Sequence, residues 1–79
     1  MNIIIDIAYY PLLDKYSKAV DDFLKQLDNS GISYQTGATS TLVHGDYDRI
    51  MPVVNAIMKD LMKIYPSVFS LRISNVCKI

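Results

Sequence analysis

The order in which apolar patterns follow one another predicts an α+β fold, a four-stranded antiparallel sheet with two helices on one face. Three observations predict it. β-branched stretches of strand character stand at both ends and in the middle of the chain. Between them, two stretches repeat apolar residues every three or four positions. Proline, glycine or aspartate marks nearly every junction.

Residues Asn2 to Tyr10 read as the first strand, because Ile3, Ile4, Ile5 and Ile7 dominate it, and Pro11 closes it by removing a backbone donor. Asp14 is placed to cap the helix that follows. In that helix Tyr16, Ala19, Val20, Phe23, Leu24 and Leu27 make one apolar face, opposite Lys15, Lys18, Asp22 and Lys25. Asn29-Ser30-Gly31 stops it, with the glycine free to turn left-handed. Ile32 to Thr36 and Ser40 to Gly45 read as a hairpin around Gly37–Thr39. Asp46 or Asp48 caps a second helix with apolar positions Ile50, Val53, Val54, Ile57, Leu61 and Ile64. Pro52 is tolerated only near the first turn, which favours a cap at Asp48 or a local kink. Tyr65-Pro66 ends this helix, since a residue before proline avoids helical backbone, and Val68 to Val76 is the last strand.

Strand, helix, strand, strand, helix, strand, over residues 1–79 with no repeat and no linker, closes most often as one ferredoxin-like domain. There the first and last strands are antiparallel neighbours. Pairing Ala8 with Ser70, Asp6 with Arg72 and Ile4 with Ser74 is self-consistent: Ile3, Ile5, Ile7, Phe69, Leu71 and Ile73 then lie under the helices, and small and polar groups lie on the open face.

A chain of 79 residues buries only roughly 60 to 65% of its unfolded surface, so its core gives modest stability. With 51% apolar residues and a positive mean hydropathy, part of its surface is expected to meet another subunit. Eight basic and eight acidic side chains are scattered without a basic stripe, which argues against nucleic acid as a partner. No apolar run approaches the roughly 20 residues that span a bilayer, and the start has no basic segment leading into an apolar one. No membrane insertion and a cytoplasmic location are therefore expected. One cysteine, Cys77, and one histidine, His44, make neither a disulfide nor a metal-ligand set, and no cofactor is expected.

Few residues suggest chemistry. Asp6 and Arg72, facing each other across neighbouring strands, read as a structural ion pair more readily than as a charged site. His44 has no nucleophile to serve and reads as a surface or interface residue. Cys77 reads as a small hydrophobe, Met51, Met58 and Met62 as core or subunit packing, and Gly45-Asp46 as too short for a phosphate fingerprint. The group that stands out is Tyr10, Tyr34, Thr36, Ser40, Thr41, Ser74 and Asn75, all at or near strand ends. Aromatic faces beside neutral donors and acceptors suit a flat polar heterocycle, although tyrosines and hydroxyls also gather at strand ends without any ligand.

Tyr10-Pro11-Leu12, then Ser40-Thr41 with Val43 and Gly45-Asp46, then Ser74-Asn75-Val76-Cys77 carry a further signal. In this order the chain resembles the YkoF-like family of thiamine and hydroxymethylpyrimidine binding domains. The resemblance implies a ferredoxin-like fold, binding of thiamine or its pyrimidine precursor, and no catalytic turnover. It also implies a homodimer or a dimer of dimers packed through open sheet faces. Ala8 stands where the first motif often has serine, which removes one hydrogen bond to the ligand. On this basis the aminopyrimidine stacks on Tyr10 or Tyr34, and Ser40, Thr41, Ser74 and Asn75 satisfy its nitrogens. A thiazolium would project toward solvent or an acid such as Asp6. The alternatives are a ligand-free regulatory or oligomer-assembly module, and an acyl phosphate hydrolase, whose anion-binding arginine neither Arg49 nor Arg72 supplies. If a tyrosine stacks on the ring, at least one of Tyr10→Ala and Tyr34→Ala weakens ligand binding in a calorimetric titration; unchanged affinity in both removes that role.

Overall fold

A run of alternating isoleucines makes the first strand the axis of the sheet. The computed structural model describes residues 1–12 and 16–75, with Tyr16 described by its backbone alone. Its elements are β1 (Asn2–Pro11), α1 (Tyr16–Ser30), β2 (Ser33–Thr36), β3 (Thr41–Asp46), α2 (Tyr47–Ile64) and β4 (Ser67–Ser74). The sheet order is β2-β3-β1-β4 with every neighbour antiparallel, the expected ferredoxin-like arrangement. Its register pairs Ile4 with Ser74, Asp6 with Arg72 and Ala8 with Ser70, as the sequence predicts.

That register decides the core. Ile3, Ile5, Ile7 and Val43 point inward from the sheet, against Ala19, Phe23 and Leu27 of α1 and Ile50, Val54, Ile57 and Leu61 of α2. Each large aliphatic side chain buried in this way contributes about 1.5 to 3 kcal/mol. Tyr9 continues the inward parity: its ring stacks on Phe69 at 4.4 Å between centroids and meets Phe23 edge-on at 5.4 Å. Ile73 and Ile64, expected in the core, are 49% and 64% exposed. Ile73 lies near the end of an edge strand, which has a neighbour on one side only, and Ile64 is the last residue of α2, beyond the sheet contact made by Leu61.

The junctions depart from expectation in three places. Asp46, not Asp48, is the N-cap of α2, and its side chain accepts the Asp48 N–H at 3.2 Å. Pro52 therefore sits inside the helix, in its second turn, where it deletes only the bond to the carbonyl of exposed Asp48, which water can reach. Pro11 belongs to β1, opposite Ser67, and Leu12 N–H donates to Pro66 O at 2.8 Å. Pairing with β3 ends at Ile7, so the proline interrupts no ladder on that side. Asp22, expected on the solvent face of α1, is half-buried and accepts a hydrogen bond from the Tyr65 hydroxyl. This tie joins α1 to the C-cap of α2 and raises the Tyr65 phenol above its ordinary pKa. Tyr65 itself is extended (φ −125°, ψ 141°) before Pro66, and its N–H donates to Leu61 O at 2.8 Å. Gly31 ends α1 with φ +74°. Asp14, Lys15, Val76 and Cys77 lie outside the described residues.

Gly45 adopts φ +152°, and a Cβ there would lie 3.0 Å from Ile50 Cδ1. Gly45→Ala is expected to lower unfolding stability by about 1 to 3 kcal/mol in a denaturant titration. The Met1 ammonium donates to Asp46 Oδ1 at 3.1 Å, and this bond and its charge hold the Asp46 carboxyl below its ordinary pKa of 3.8. Stability from the ionised cap is complete above that value and falls away as pH drops through the lower folded-state pKa. Asp46→Asn is expected to flatten the acid limb of the stability–pH curve.

Candidate ligand site at the β2–β3 turn

Gly37, Ala38, Thr39 and Ser40 close the hairpin, with Gly37 N–H donating to Ser40 O at 2.8 Å. The turn overhangs the sheet, because β3 meets β1 only from Thr41 opposite Ile7 onward. Space is left on both sides of it. On the helix side lies a slot of about 210 Å³, walled by Ile7 and Tyr9 of β1, Val20, Phe23 and Leu24 of α1, and residues 36–41. On the open face lies a wider cleft of about 410 Å³, formed by Asp6, Gln35 and Leu42. Thr36, Gly37 and Ser40 wall both.

The slot has an aromatic and aliphatic floor and a rim of hydroxyls. Sites for drug-sized ligands measure about 300 to 1,000 Å³, so this one suits a single flat ring. Its floor is rigid. Ser67 Oγ donates to Tyr65 O at 2.9 Å, which leaves the Tyr9 hydroxyl as donor to Ser67 Oγ at 3.2 Å. With Phe69 on one face and this bond at its tip, the Tyr9 ring is fixed before any ligand arrives. Among the described residues no carboxylate, imidazole or thiol lines the slot.

The open-face cleft differs in one respect. Asp6 Oδ1 is buried and accepts no hydrogen bond from the described residues. The expected ion pair with Arg72 is not formed: among the described residues the salt bridge present joins the Met1 ammonium to Asp46. Arg72 stands opposite Asp6 in register but is exposed on the edge strand, where pairing gains little over hydration.

The residues singled out from sequence are divided by the fold. Thr36, Ser40 and Thr41 come together at the turn, Thr41 only 7% exposed. Tyr10 has the opposite parity to Tyr9; it faces outward beside Val68 and is exposed. Tyr34 is half-buried, and its hydroxyl donates to Asp28 Oδ1 at 3.0 Å, which raises its phenol pKa. Ser74 pairs with Ile4, six residues along β1 from Tyr10. At about 3.4 Å per residue that is roughly 20 Å from Tyr10; the turn starts beside Ile7, roughly 10 Å along β1 from Ile4, and Ser74 and Asn75 lie on the other flank of β1 from it. Tyr9, Phe23, Val20 and Leu24 were not singled out. The parity of β1 carried the signal for Tyr9, because a strand that turns Ile3, Ile5 and Ile7 inward turns Tyr9 inward and Tyr10 out.

Elsewhere, an apolar cleft of about 480 Å³ runs along α2, lined by Tyr47, Met51, Pro52, Met58 and Leu71 among others. Met51 and Met58 are half-buried there, whereas Met62 is exposed. His44 is exposed, opposite Ile4. Among the described residues no His, Cys, Asp and Glu cluster is placed to hold a metal ion, and no helix is long and apolar enough to cross a membrane.

This architecture defines an open-faced α+β domain with a small heterocycle-sized slot. The chain belongs to the thiamine-binding protein family, whose sequence profile matches residues 5–75. Among solved structures it is similar to a Thermotoga maritima protein assigned provisionally to thiamine biosynthesis or salvage, at 21% identity and a TM-score of 0.82, covering 94% of this chain and 83% of that one. It is also similar to a Streptococcus pneumoniae protein at 17% identity and a TM-score of 0.87, covering 100% and 90%. A domain of unknown function from Bacillus cereus matches at 23% identity and a TM-score of 0.75, covering 94% and 75%. No curated protein matches. At these identities the structural likenesses show the fold.

A buried polar atom without a partner costs about 1 to 3 kcal/mol. Asp6→Leu, which removes it beside Leu42, is expected to raise unfolding stability by a similar amount in urea.

Proposed function

We propose that this chain is a non-catalytic binding protein for thiamine or its hydroxymethylpyrimidine moiety, supporting transport, salvage or sensing of the vitamin in the cytoplasm. The observation that carries this reading is the aromatic, hydroxyl-rimmed slot at the β2–β3 turn, in a chain of the thiamine-binding protein family. An aminopyrimidine lying on the floor of Phe23, Leu24 and Tyr9 meets Thr36, Ser40 and Thr41 at its edge, where hydroxyls and turn amides match ring nitrogens and the amino group. Lining groups that hydrogen-bond without titrating near neutral pH hold a ring and do not turn it over. Tyr10, on the open face at the same end of the sheet, remains a contact for a ligand that extends past the turn or for a second subunit. Ser74 and Asn75 contribute only if a second subunit brings its own strand ends to the site.

Residues 1–79 act as one domain in this reading, assembled as a homodimer or a dimer of dimers through the open sheet face. Ile4, Ala8 and Leu42 give that face an apolar centre, and exposed Tyr10 and Val68 extend it. A second reading, a ligand-free assembly module, draws support from the apolar cleft along α2.

Isothermal titration with thiamine and with hydroxymethylpyrimidine separates the two. Micromolar or tighter binding at a fixed stoichiometry per subunit supports the binding protein. No heat and no thermal stabilisation with either ligand supports the assembly module. Leu24→Trp fills the slot from the α1 side and is expected to abolish pyrimidine binding while the far-ultraviolet circular dichroism stays unchanged.

A further inference from the structure

We propose that the free edge of β4, with the methionine-lined cleft beside it, docks an extended segment of a partner protein as a fifth strand of the sheet. The segment runs antiparallel to β4, turns apolar side chains into the cleft at alternate positions, and carries its acidic residues toward its C-terminal end. This site is separate from the slot, and it stays accessible when a second subunit covers the open face.

Two features meet at this margin. The first belongs to the main chain. β4 is the last strand of the sheet, hydrogen-bonded to β1 alone, and along its eight residues alternate N–H and C=O groups point away from the sheet. Such an edge is ordinarily blunted by shortness, proline or lysine. β2, the other edge, has four residues, whereas β4 has no proline, no lysine and a single charge, Arg72, on the open face.

The second feature is the apolar cleft on the helix side of the same strand. α2 buries Ile50, Val54, Ile57 and Leu61, and Met51, Asn55, Met58 and Met62 follow at helical spacing along the flank above β4. Leu71 floors the cleft, and Ile73, of the same parity, is exposed. A strand added at about 4.8 Å from β4 lies beneath this flank, so every second side chain enters the cleft. Methionine is flexible and fits apolar groups of different shape, so the demand is for alternation rather than for one sequence.

Charge gives the segment its direction. Asp48 lines the cleft at the N-terminal end of α2, and Lys59 and Lys63 line its continuation past Met58. None of the three takes part in a salt bridge among the described residues. β4 starts at the lysine end, since Ser67 lies just past the C-cap Tyr65 of α2. It finishes at the Asp48 end, since Ser74 pairs with Ile4, two residues along β1 from Asn2, the partner of the N-cap Asp46. An antiparallel segment therefore enters beside Asp48 and leaves beside the lysines, which calls for a basic residue first and an acidic one last. The lengths agree. Lys59 and Lys63 stand roughly 16 and 22 Å along α2 from Asp48, the reach of roughly five to seven residues of strand, and β4 is long enough to pair them all.

The probe is the peptide Lys-Thr-Val-Thr-Leu-Thr-Glu, acetylated and amidated so that only its side chains carry charge, and the control is Glu-Thr-Val-Thr-Leu-Thr-Lys. Each is titrated into the full chain by nitrogen-15 NMR, with amide exchange followed on the same samples. Saturable shifts along β4 and the methionine flank, affinity for the probe about tenfold above that for the control, and slowed exchange at alternate β4 amides are the expected result. Lys59→Glu combined with Lys63→Glu, both at exposed positions, is expected to keep the circular dichroism of the wild type and invert the preference. No saturable binding below about 1 mM, equal affinity for the two peptides, or binding that leaves β4 exchange unchanged overturns the proposal. Outer β4 amides already protected in a dimer that the probe does not displace would give the edge to a second copy, and that result also overturns it.

Discussion

Everything in this molecule depends on the two-sided pairing of β1. It is held by β3 on one flank and β4 on the other, and its side chains alternate between two environments that tolerate no exchange. Shifting it by one residue would send Ile3, Ile5 and Ile7 to the open face and bring Ile4, Asp6 and Ala8 under the helices. The core loses three fully buried aliphatics in that exchange and acquires a carboxylate. Register is thus fixed by hydrophobic burial, and the placement of Tyr9 in the slot and of Asp6 in the cleft follows without further specification.

The same constraint divides stability from binding. The inward row of β1 is spent on packing at Ile3 and Ile5, and from Ile7 to Tyr9 it borders the slot. The outward row is free of packing demands, so it can carry an acid that contributes nothing to folding. The short β3 lets the turn overhang and opens both spaces. A hairpin two pairs longer would carry the ladder to Tyr9 and draw the turn away from the slot. The polar groups of the site are therefore gathered on the turn, while rigid β1 and α1 supply its floor, so adaptable hydrogen bonding is set on a fixed aromatic surface.

Much of this was legible in the sequence, for stated reasons. Element order, hairpin, inward isoleucines and the β1–β4 register all follow from period-two and period-3.6 patterns, which short-range sterics and burial impose directly. What was not legible depended on contacts distant along the chain. Asp22 reads as a solvent-face residue of α1 until Tyr65 arrives beside it from the end of α2. Pro52 argued for a cap at Asp48, but the Asp46 side chain and the β3 register placed the start of the helix earlier. Asp6 and Arg72 face each other in register as expected, yet register fixes backbones and does not decide whether an exposed arginine leaves water. Strand-end polarity marked Thr36, Ser40 and Thr41, which meet at the turn, but marked Ser74 and Asn75 equally, because polarity does not say which end of a strand is which.

β4 accompanies β1 up to Pro11, whereas β3 leaves it after Ile7. The last stretch of β1 is therefore a ribbon with one bare margin, and the slot borders that margin. A ring with a donor beside an acceptor along one edge offers the same pair of groups as a peptide unit. Main-chain groups of β1 past Ile7 that β3 does not engage are thus left at this margin for a partner other than a strand, and only a substitution to proline would take their donors away.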